Sequence, residues 1–498
     1  MKAEYLLGID HGGSVSKVAL FDTEGHEIAV SFRSVELIQN FQGWSERDAN
    51  QMWTDTCEMI REIISKSGIN SSQILAVGCT GHGNGLYLVD NTGDLVRNAI
   101  NSSDYRAQSY IDRWKACRVD QLSLPLTAQC LWPGQPNALI AWLIDHEPET
   151  IEKARWILMA KDFIRMKLTG KFHAEITDMS GTSLINVIDG KYDNKVLEIF
   201  GLEKIGHMLP PLIGSADVAG YITSEASIST GLKEGTPVAG GMFDIDACAL
   251  ASGIVDENQM SLVAGTWGNN QYISKTPLVD KDLFMTSLYS IPCWYLMLEG
   301  SPTSVSNLEW FIKTFLSNEK EEMGDRFFHW MDAQVSAATP GTANVIFLPF
   351  IHGCNEKPTL KACFYGMDGN TNRSMLIRSV YEGIVFAHKH HIDRLLKFRD
   401  RPTVIRCTGG ATNSAVWMQL FADIIGIPME IPEGTQLGAL GAAMAAGACC
   451  GVYNGFPEAV RNMIRIRQRF EPNPDQFAMY EKKYLTYKNF IQKIKNIL

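Results

Sequence analysis

Two stretches of the chain share one plan, in which an apolar strand ends at a glycine turn and a second apolar strand follows. The first is LLGIDHGGSVSKVALFD, residues 6–22, and the second is MSLVAGTWGNNQYIS, residues 260–274. Glycine permits the positive φ that tight turns use, so both stretches are predicted to be β-hairpins. Because one hairpin opens each half of the chain, the pattern predicts a duplicated α/β protein with a boundary near residue 255.

The length of the chain supports two domains. It has 498 residues, and a single hydrophobic core stops growing at about 250–300 residues. A hydrophobic fraction of 45% and a charged fraction of 20% are typical of a globular protein. The formal net charge is −10 and no long Lys/Arg run is present, which argues against nucleic acid and against an anionic membrane as partners.

The cysteines and the apolar stretches point to a reducing compartment. Eleven cysteines are scattered without a C-x-x-C pair or a Cys/His cluster at metal spacing, so neither a disulfide scaffold nor zinc is expected, and the cytoplasm fits best. No signal-peptide core precedes the first strand-like run. The most apolar stretch, residues 438–453, is shorter than the roughly 20 residues of a membrane span and is predicted to be a buried helix.

Other segments complete a mixed α/β pattern. Residues 48–65 have apolar side chains at helical spacing, and Asp48 with Gln51 has the spacing of a capping box. Residues 74–79 read as a strand that runs directly into the loop TGHGNG. A third glycine turn, at residues 409–410, joins a β-branched strand to a helix beginning near Asn413. A strand, a glycine turn and a helix N-terminus in this order favour anion binding.

The series of segments resembles the FGGY family of carbohydrate kinases, within the actin, Hsp70 and hexokinase-like ATPase superfamily. The segments that carry the resemblance follow one another in this order: GIDHGGSVSKVALFD, GWSERD, GCTGHGNGLYLVD, NSSDYRA, KDFIRMKLTG, TDMSGTS, GGMFDIDACALASG, AGTWG, YEGIVFAH, CTGGATNSAVWMQLFADIIGIPMEIPE and GALGAAMAAG. The resemblance implies two RNase H-like domains around a catalytic cleft, with residues 1–254 binding the sugar and residues 255–498 binding the nucleotide.

The resemblance also implies an ATP site and a magnesium ion. It places Asp10 beside the γ-phosphate and Mg²⁺, which would neutralise the charge that phosphoryl transfer spreads over the phosphate oxygens. The other residues that it assigns to ATP are Gly12, Gly13, Ser14, Lys17, Gly265, Thr266, Gly409, Gly410 and Asn413. The family more often has Thr-Thr where this chain has Gly13-Ser14, and Arg where it has Lys17. The alternative for Asp10 is an Asx-type turn in which the carboxylate bonds only to local backbone.

The resemblance also implies that the catalytic base is Asp244, which follows a Gly-Gly pair in GGMFDIDACALASG. A carboxylate within hydrogen-bond reach of the sugar hydroxyl can orient it and accept its proton. Asp246 is the competing candidate, since the two carboxylates share a face if the segment is extended and diverge if it is helical. A further alternative is that Asp244 caps a helix beginning near Ala247.

Four residues are the candidate sugar contacts: His82, Asn84, Asp104 and Trp132. The first two lie on a glycine-lined loop where small neighbours admit a ligand. Arg106 is interpreted as a structural ion-pair partner, and Leu139, Ile140 and Ala141 stand where the family has basic residues and are interpreted as packing positions.

The substrate implied by the resemblance is a ketopentose such as L-xylulose, or a relative such as 3-keto-L-gulonate. The segments SPTSVSNLEWF, CFYGM and YEGIVFAH are similar to the branch that acts on L-xylulose, and Gly83 with Asn84 replaces the Arg-Glu pair with which glycerol kinases hold their polyol. The alternatives are a kinase for erythritol, xylitol or glycerol, an actin- or Hsp70-like ATPase, and a catalytically silent sugar sensor. A homodimer is expected by analogy alone.

Overall fold

A computed structural model of the chain describes residues 4–339, 344–354 and 359–497. The strands are β1 (Tyr5–His11), β2 (Val15–Asp22), β3 (Glu27–Ser34), β4 (Glu46–Arg47), β5 (Ile74–Gly81), β6 (Tyr87–Val89), β7 (Ala99–Ile100), β8 (Trp156–Leu158), β9 (Ala174–Glu175), β10 (Leu212–Ile213), β11 (Val218–Tyr221), β12 (Pro237–Ala239), β13 (Met242–Phe243), β14 (Gln259–Ala264), β15 (Gly268–Ser274), β16 (Met285–Leu288), β17 (Tyr295–Ser301), β18 (Ile346–Leu348), β19 (Cys363–Tyr365), β20 (Val404–Thr408), β21 (Met429–Pro432) and β22 (Ile466–Phe470).

The α-helices are α1 (Ala49–Ser67), α2 (Gln108–Ala116), α3 (Val119–Thr127), α4 (Pro136–His146), α5 (Pro148–Lys153), α6 (Ala160–Thr169), α7 (Ile176–Ser180), α8 (Asn194–Phe200), α9 (Ser224–Thr230), α10 (Asp244–Ala251), α11 (Val305–Phe315), α12 (Ser317–Met323), α13 (Phe327–Ala337), α14 (Arg373–Leu395), α15 (Ala415–Ile425), α16 (Leu437–Cys449), α17 (Phe456–Met463) and α18 (Phe477–Ile497). Within the part of the chain that the structure describes, no helix combines the length and the apolar character needed to cross a membrane.

The first of two compact units contains Met1–Val255, Ile273–Met297 and Gly434–Ile464. Its main sheet has the order β11-β12-β5-β1-β2-β3, with β13 also paired to β5. Strands β1 and β2 form the predicted antiparallel hairpin, and β5 lies parallel to β1 on its other side. The first predicted hairpin is therefore confirmed.

The second unit contains Asp256–Tyr272, Leu298–Glu433 and Arg465–Leu498. Its sheet includes β15, β14, β20, β21 and β22 as successive neighbours. Strands β14 and β15 form an antiparallel hairpin, and β20 is parallel to β14. The second hairpin thus repeats the arrangement of the first, with a later parallel strand beside the strand that opens it, and the predicted hairpin repeat is confirmed. The assignment of one ligand to residues 1–254 and another to residues 255–498 stays a prediction.

Helix α16 packs directly on the main sheet of the first unit because two facing strands carry glycine. A Cβ built on Gly8 of β1 would lie 1.9 Å from the carbonyl oxygen of Ala439, and one on Gly78 of β5 would lie 1.9 Å from that of Ala442. Residues Gly438 to Gly447 of this helix are all buried. The prediction of a buried helix in this stretch is confirmed.

Helix α1 has Asp48 as its N-cap, as predicted, but it lacks the reciprocal half of the capping box. The Asp48 carboxylate accepts hydrogen bonds from the backbone N–H groups of Asn50 and Gln51. The Gln51 side chain donates instead to Asp55, 2.8 Å away and one turn further along the helix. The predicted N-cap is correct. The predicted capping box is wrong, because the exposed Gln51 side chain forms a hydrogen bond with a carboxylate on the same face of its own helix.

Candidate active site

Asp10 lies near the end of β1, at the edge of the sheet where the hairpin turns. It pairs with Lys17 across the hairpin and with Thr80 of β5 on the other side. Burial raises the pKa of Asp10 to about 6, although the charge of Lys17 opposes this effect. No hydrogen bond to the Asp10 carboxylate is found among the described residues, so the alternative of an Asx-type turn has no support.

The hairpin tip is open where the predicted phosphate contacts lie. The Gly12 N–H donates to the carbonyl of Val15 at 3.1 Å and closes the turn. A Cβ on Gly13 would meet no atom within 4 Å, and the side chain of Ser14 is exposed. The backbone N–H groups of Gly13 and Ser14 and the Ser14 hydroxyl therefore lie on a hairpin tip with free space around it.

Helix α16 contributes a feature of the site that the sequence reasoning missed. A Cβ on Gly438, in the first turn of this helix, would lie 2.4 Å from Oδ2 of Asp10. The N-terminus of the helix thus faces the carboxylate, and the positive end of its dipole favours a negative charge there. The run of small residues was the only signal in the sequence, and it gave no partner for the helix.

Asp244 is the first residue of helix α10 and follows β13. Thr80 of β5 pairs with Asp10 on one side and with Met242 of β13 on the other, so Asp10 and Asp244 emerge at one edge of the sheet. The Gly-Gly pair makes this possible, because a Cβ on Gly241, where φ is 82°, would lie 2.2 Å from the carbonyl of Cys79. The helix begins at Asp244, and the alternative in which Asp244 caps a helix starting near Ala247 is wrong.

The two carboxylates lie close enough to influence each other. Burial raises the pKa of Asp244 well above its ordinary value, and the charges of Asp10 and then Asp178 raise it further, whereas Lys161 lowers it. Lys161 and Asp178 are fully buried and form an ion pair at 2.9 Å. Asp244 is therefore a carboxylate with an elevated proton affinity, as expected of a group that accepts a proton near neutral pH.

Asp246 has a structural environment. It is completely buried, and its Oδ1 accepts the backbone N–H of Ser290 at 2.9 Å and the hydroxyl of Ser290 at 3.2 Å. On helix α10 it diverges from Asp244 by about 200°. The helical conformation thus separates the two candidates, and only Asp244 faces the edge that carries Asp10.

His82 is buried and engaged on both ring nitrogens. Its Nε2 lies 3.1 Å from the hydroxyl of Tyr87, and its Nδ1 lies 3.4 Å from the carbonyl of Gly83. Burial lowers the pKa of His82 to about 4, with the charge of Arg47 as a second cause. The imidazole is therefore neutral at physiological pH, and its two contacts connect the loop to Tyr87 of β6.

Asn84 has an uncommon backbone conformation and an unsatisfied side chain. Its φ is 61°, and it is 5% exposed. The side-chain carbonyl oxygen is buried with no hydrogen-bond partner. The neighbouring Gly83 admits the ring of Phe243, since a Cβ there would lie 2.2 Å from it. Asn84 thus combines an uncommon φ with an unpaired amide oxygen, and its neighbour Gly83 contacts Phe243, next to Asp244, so this loop is a candidate for ligand binding.

Asp104 is held by protein groups on both oxygens. Oδ1 accepts from the backbone N–H and Nε of Arg106, and Oδ2 accepts from Nη2 of Arg106 and the N–H of Ser45. The guanidinium of Arg106 stacks on Trp44, 3.9 Å from the ring centroid. Arg106 is thus the ion-pair partner that the sequence suggested, and Asp104 fixes the loop that it occupies.

Three loops meet around Asn84. The N–H of Gly85 donates to the carbonyl of Gly134 at 3.0 Å. A Cβ on Gly134 would lie 2.0 Å from the carbonyl of Ser102 and 3.0 Å from the ring of Trp132. The loops that carry His82 with Asn84, Asp104 and Trp132 are therefore neighbours, and the four candidate sugar contacts belong to one region of the first unit. Leu139, Ile140 and Ala141 are buried in helix α4, in agreement with the interpretation as packing positions.

In the second unit, the two predicted nucleotide turns touch each other. Gly265 and Thr266 form the tip of the β14–β15 hairpin, where Thr266 is exposed. Gly409 has a φ of 92°, and a Cβ on it would lie 2.5 Å from the carbonyl of Ala264 and 3.0 Å from the N–H nitrogen of Gly265. Parallel pairing of β14 with β20 brings the turns together.

The turn after β20 opens onto a large cavity of the second unit. It begins as a short 3₁₀ segment, Gly410–Asn413, and helix α15 starts only at Ala415 with Ser414 as its N-cap, so the helix starts later than the predicted Asn413. The cavity has a volume of about 1010 Å³ and is lined by Gly410, Asn413 and Ser414 together with residues of α11 and α13. Its size suits a nucleoside.

A solved structure with the same fold supports the fold class. The ligand-bound xylulose kinase from Lactobacillus acidophilus has a TM-score of 0.92 and 23% sequence identity, and the match covers 99% of this chain and 98% of that chain. The protein therefore has the two-domain α/β fold of the actin- and hexokinase-like ATPases, and the predicted fold class is confirmed.

Similarity in sequence identifies the family of the chain. The model of the FGGY family of carbohydrate kinases matches with its N-terminal domain at residues 5–251 and with its C-terminal domain at residues 260–450. A probable L-xylulose kinase of Pasteurella multocida (strain Pm70) is 35% identical over 99% of this chain and 100% of that protein. The L-xylulose/3-keto-L-gulonate kinase of Escherichia coli (strain K12) is 36% identical over 98% of this chain and 97% of that protein.

The chain belongs to the FGGY family of carbohydrate kinases. It is an enzyme that transfers a phosphoryl group from ATP to a sugar, and the predicted activity is confirmed at this level.

Proposed function

We propose that the sugar is a ketose, L-xylulose or a close relative such as 3-keto-L-gulonate. The observation that carries this proposal is the loop around Asn84, which is neutral, lined by glycine and provided with an unpaired amide oxygen. A substrate with several hydroxyls pairs with such a group, and an unpaired hydroxyl in a site of this kind costs affinity. Relatives that are named for L-xylulose and 3-keto-L-gulonate support the same choice.

In the proposed reaction, Asp244 orients the sugar hydroxyl and accepts its proton while the hydroxyl oxygen attacks the γ-phosphorus of ATP. The bond between the γ-phosphorus and the bridging oxygen breaks, so the products are the sugar phosphate and ADP, and the proton leaves from Asp244 to solvent. Phosphoryl transfer requires mainly positioning and charge neutralisation. Asp244 contributes the positioning because the Gly-Gly pair and β13 fix its place at the sheet edge.

We assign Mg²⁺ to Asp10. Asp10 and Asp244 lie at one edge of the sheet, and the charge of Asp10 adds to burial in raising the pKa of Asp244. A divalent cation bound at Asp10 would offset this negative charge. Across residues 4–339, 344–354 and 359–497, no group of three or more His, Cys, Asp or Glu side chains is arranged to hold a metal alone. Mg²⁺ is usually held by one or two carboxylates together with substrate phosphates, so this donor set fits. When bound, the ion neutralises charge on the phosphate oxygens.

Each unit is proposed to carry its own set of nucleotide contacts. In the first unit, Gly13 and Ser14 provide N–H and hydroxyl donors and Lys17 provides an ammonium for the phosphates, while Gly12 closes the turn that holds them near the nucleotide. In the second, Gly265 and Thr266 provide further phosphate donors, and Gly409, Gly410 and Asn413 hold the adenosine. What supports this division is the open space at Gly13 and Gly410, where a Cβ would meet no atom within 4 Å.

The sugar contacts of the proposal differ in kind. Asn84 contacts a sugar hydroxyl, and Trp132, which is partly exposed, forms an apolar wall. His82 and Asp104 act by holding the loops, since their polar atoms already bond to Tyr87 and Arg106.

Substituting Asn84 with glycine tests the proposal. Asn84→Gly removes the amide without strain, because glycine adopts a φ of 61° freely. We expect the KM for L-xylulose to rise about tenfold, the effect of one lost hydrogen bond, with an unchanged KM for ATP. The matched control is Arg118→Gly, at an exposed residue with a φ of 60°. An unchanged KM for L-xylulose would remove Asn84 from the sugar site.

Two competing functions lose support, and two finer expectations remain proposals. An actin-like ATPase would not need a base, and it would be favoured by an exposed Asp244 far from Asp10; the charge of Asp10 instead acts on Asp244. A silent sensor is disfavoured because both carboxylates are in place. A polyol kinase remains the alternative for the substrate. We further propose a cytoplasmic enzyme that forms a homodimer, which sedimentation of the purified protein would test.

A further inference from the structure

The cavity of the second unit has the surfaces that a flat aromatic base requires. One side is apolar, with Leu308 and Ile312 of helix α11 in its lining. Trp417 and Tyr381 also line it, and their rings lie 4.4 Å apart, with the Trp417 indole N–H donating to the carbonyl of Tyr381 at 3.3 Å. Gly410 adds a surface without a side chain. An apolar wall of this kind can contact a base, but it does not distinguish one base from another.

One carboxylate in the cavity wall is held in a fixed orientation. Asp332 of helix α13 accepts the hydroxyl of Ser414 on Oδ1 at 2.6 Å. Ser414 is itself fixed, because its oxygen caps helix α15 by accepting the N–H of Trp417 at 3.0 Å. The second oxygen of Asp332, Oδ2, accepts no hydrogen bond from the described residues.

The other charged groups of the cavity lack such support. Solvent competes for their hydrogen bonds, because all six are exposed: Glu309, Lys313, Lys320, Glu321, Asp325 and His329. Asp332 is half-buried, and burial raises its pKa, while the Ser414 hydroxyl and the charge of His329 lower it. The Asp332 carboxylate has one oxygen bonded to Ser414 and one oxygen that can accept a further hydrogen bond. Such a group favours a hydrogen-bond donor on the ligand over an acceptor.

We propose that Asp332 selects the base of the nucleotide by accepting a hydrogen bond from an exocyclic amino group, the 6-amino group of adenine. Guanine and hypoxanthine carry an oxygen at this position, which would face the carboxylate with no proton between them. Asp332 is thus a specificity-determining residue for the phosphoryl donor. This inference rests on the proposed function in one respect, that the adenosine binds at the Gly409-Gly410 turn.

The test compares donors in the full-length enzyme. With L-xylulose saturating, kcat/KM is measured for ATP, GTP, inosine triphosphate and purine riboside triphosphate, which lacks the 6-substituent. We expect the wild-type enzyme to prefer ATP over each of the others by about 10- to 100-fold, the range of a hydrogen bond to a charged acceptor. Equal use of ATP and purine riboside triphosphate would overturn the proposal without any variant.

Asp332→Asn supplies the second arm, because its amide can donate to the 6-oxygen of guanine. We expect the ratio of kcat/KM for ATP to that for GTP to fall at least tenfold, while Asp325→Asn, which alters an exposed carboxylate of the same cavity, leaves it unchanged. The ratio of the binding constants for ADP and GDP, measured by calorimetry, should fall by the same factor. This measurement does not depend on turnover. An unchanged ratio in Asp332→Asn would overturn the proposal while the kinase assignment stands. A wild-type enzyme that shows no sugar-dependent turnover with any donor would instead overturn the proposed function.

Discussion

Asp244 and Asp246 are two positions apart in the chain, yet helix α10 gives them opposite surroundings. Asp244 faces the sheet edge beside Asp10, and Asp246 is enclosed with Ser290. Side chains two residues apart on a helix point about 200° apart. The same chemical group therefore serves as a proposed base at one position and as a buried hydrogen-bond acceptor at the other.

This difference leads to opposite expectations for the two amides. Asp244→Asn cannot accept the proton, so sugar-dependent turnover should fall by about 10²–10⁴-fold, with little change in thermal midpoint or in nucleotide affinity. Asp246→Asn is the matched control, which should lower the thermal midpoint and keep most of the turnover of the folded enzyme. Coupled ADP release and thermal unfolding measure both. If Asp244→Asn kept more than about half of the wild-type kcat, the base assignment would be wrong.

Single residues show where the sequence was informative. The position of Asp10 at a glycine turn and the spacing of Asp244 from its Gly-Gly pair are local patterns, so the sequence indicated both. The hydrogen bond between His82 and Tyr87 crosses an irregular loop that has no periodic pattern. The approach of Gly438 to Asp10 joins segments that are distant in the chain. Such contacts depend on the packed fold and leave no mark on the local sequence.

Helices α6 and α7 supply the buried pair Lys161 and Asp178, whose charges act on Asp244 in opposite directions. Asp244 works as a base only when ionised, so activity is present above its pKa and is lost as the pH falls through it. Because Asp178 raises this pKa and Lys161 lowers it, Asp178→Asn should move the acid limb of the kcat/KM profile to lower pH. Lys161→Met should move it to higher pH. If the acid limb of the kcat/KM profile stays at the wild-type pH in both variants, Lys161 and Asp178 have a structural role only.

Helix α16 and strand β5 meet without space for a side chain at Gly78. A Cβ there would lie 1.9 Å from the carbonyl oxygen of Ala442, so Gly78→Ala must push the helix from the sheet. Overpacking of this kind costs about 1–3 kcal/mol or more, and the thermal midpoint should fall by several degrees. Gly369→Ala is the control, since a Cβ at this exposed glycine meets no atom within 4 Å. Equal midpoints for the two variants would contradict the packing account.

At the scale of elements, periodic patterns were sufficient for the hairpins and for the buried helix. They were insufficient at element ends. The Gln51 side chain donates a hydrogen bond to Asp55 on its own helix instead of to the cap. Helix α15 begins after a 3₁₀ segment that the pattern of the glycine turn did not predict. End positions depend on which side chain reaches which backbone group, and several choices have similar energies.

At the scale of the whole molecule, the two units are not simple halves of the chain. Segments Ile273–Met297 and Gly434–Ile464 belong to the first unit, although both lie beyond residue 255. The repeated hairpins indicated the duplication. They did not indicate that later segments of the chain pack in the first unit, because the sequence of an apolar helix such as α16 does not specify which sheet it packs on. The segment nonetheless places the N-terminus of α16 against Asp10, so the return of the chain contributes to the site.

We propose that this member of the family phosphorylates a ketose with ATP. The most direct measurement is a coupled ADP-release assay over one panel that contains L-xylulose, other ketopentoses, 3-keto-L-gulonate, erythritol, xylitol and glycerol. We predict that L-xylulose or 3-keto-L-gulonate has the highest kcat/KM, that its epimers follow at orders of magnitude lower values, and that glycerol is poor. A panel in which glycerol is best, or in which every ketose fails while a polyol succeeds, would contradict the account.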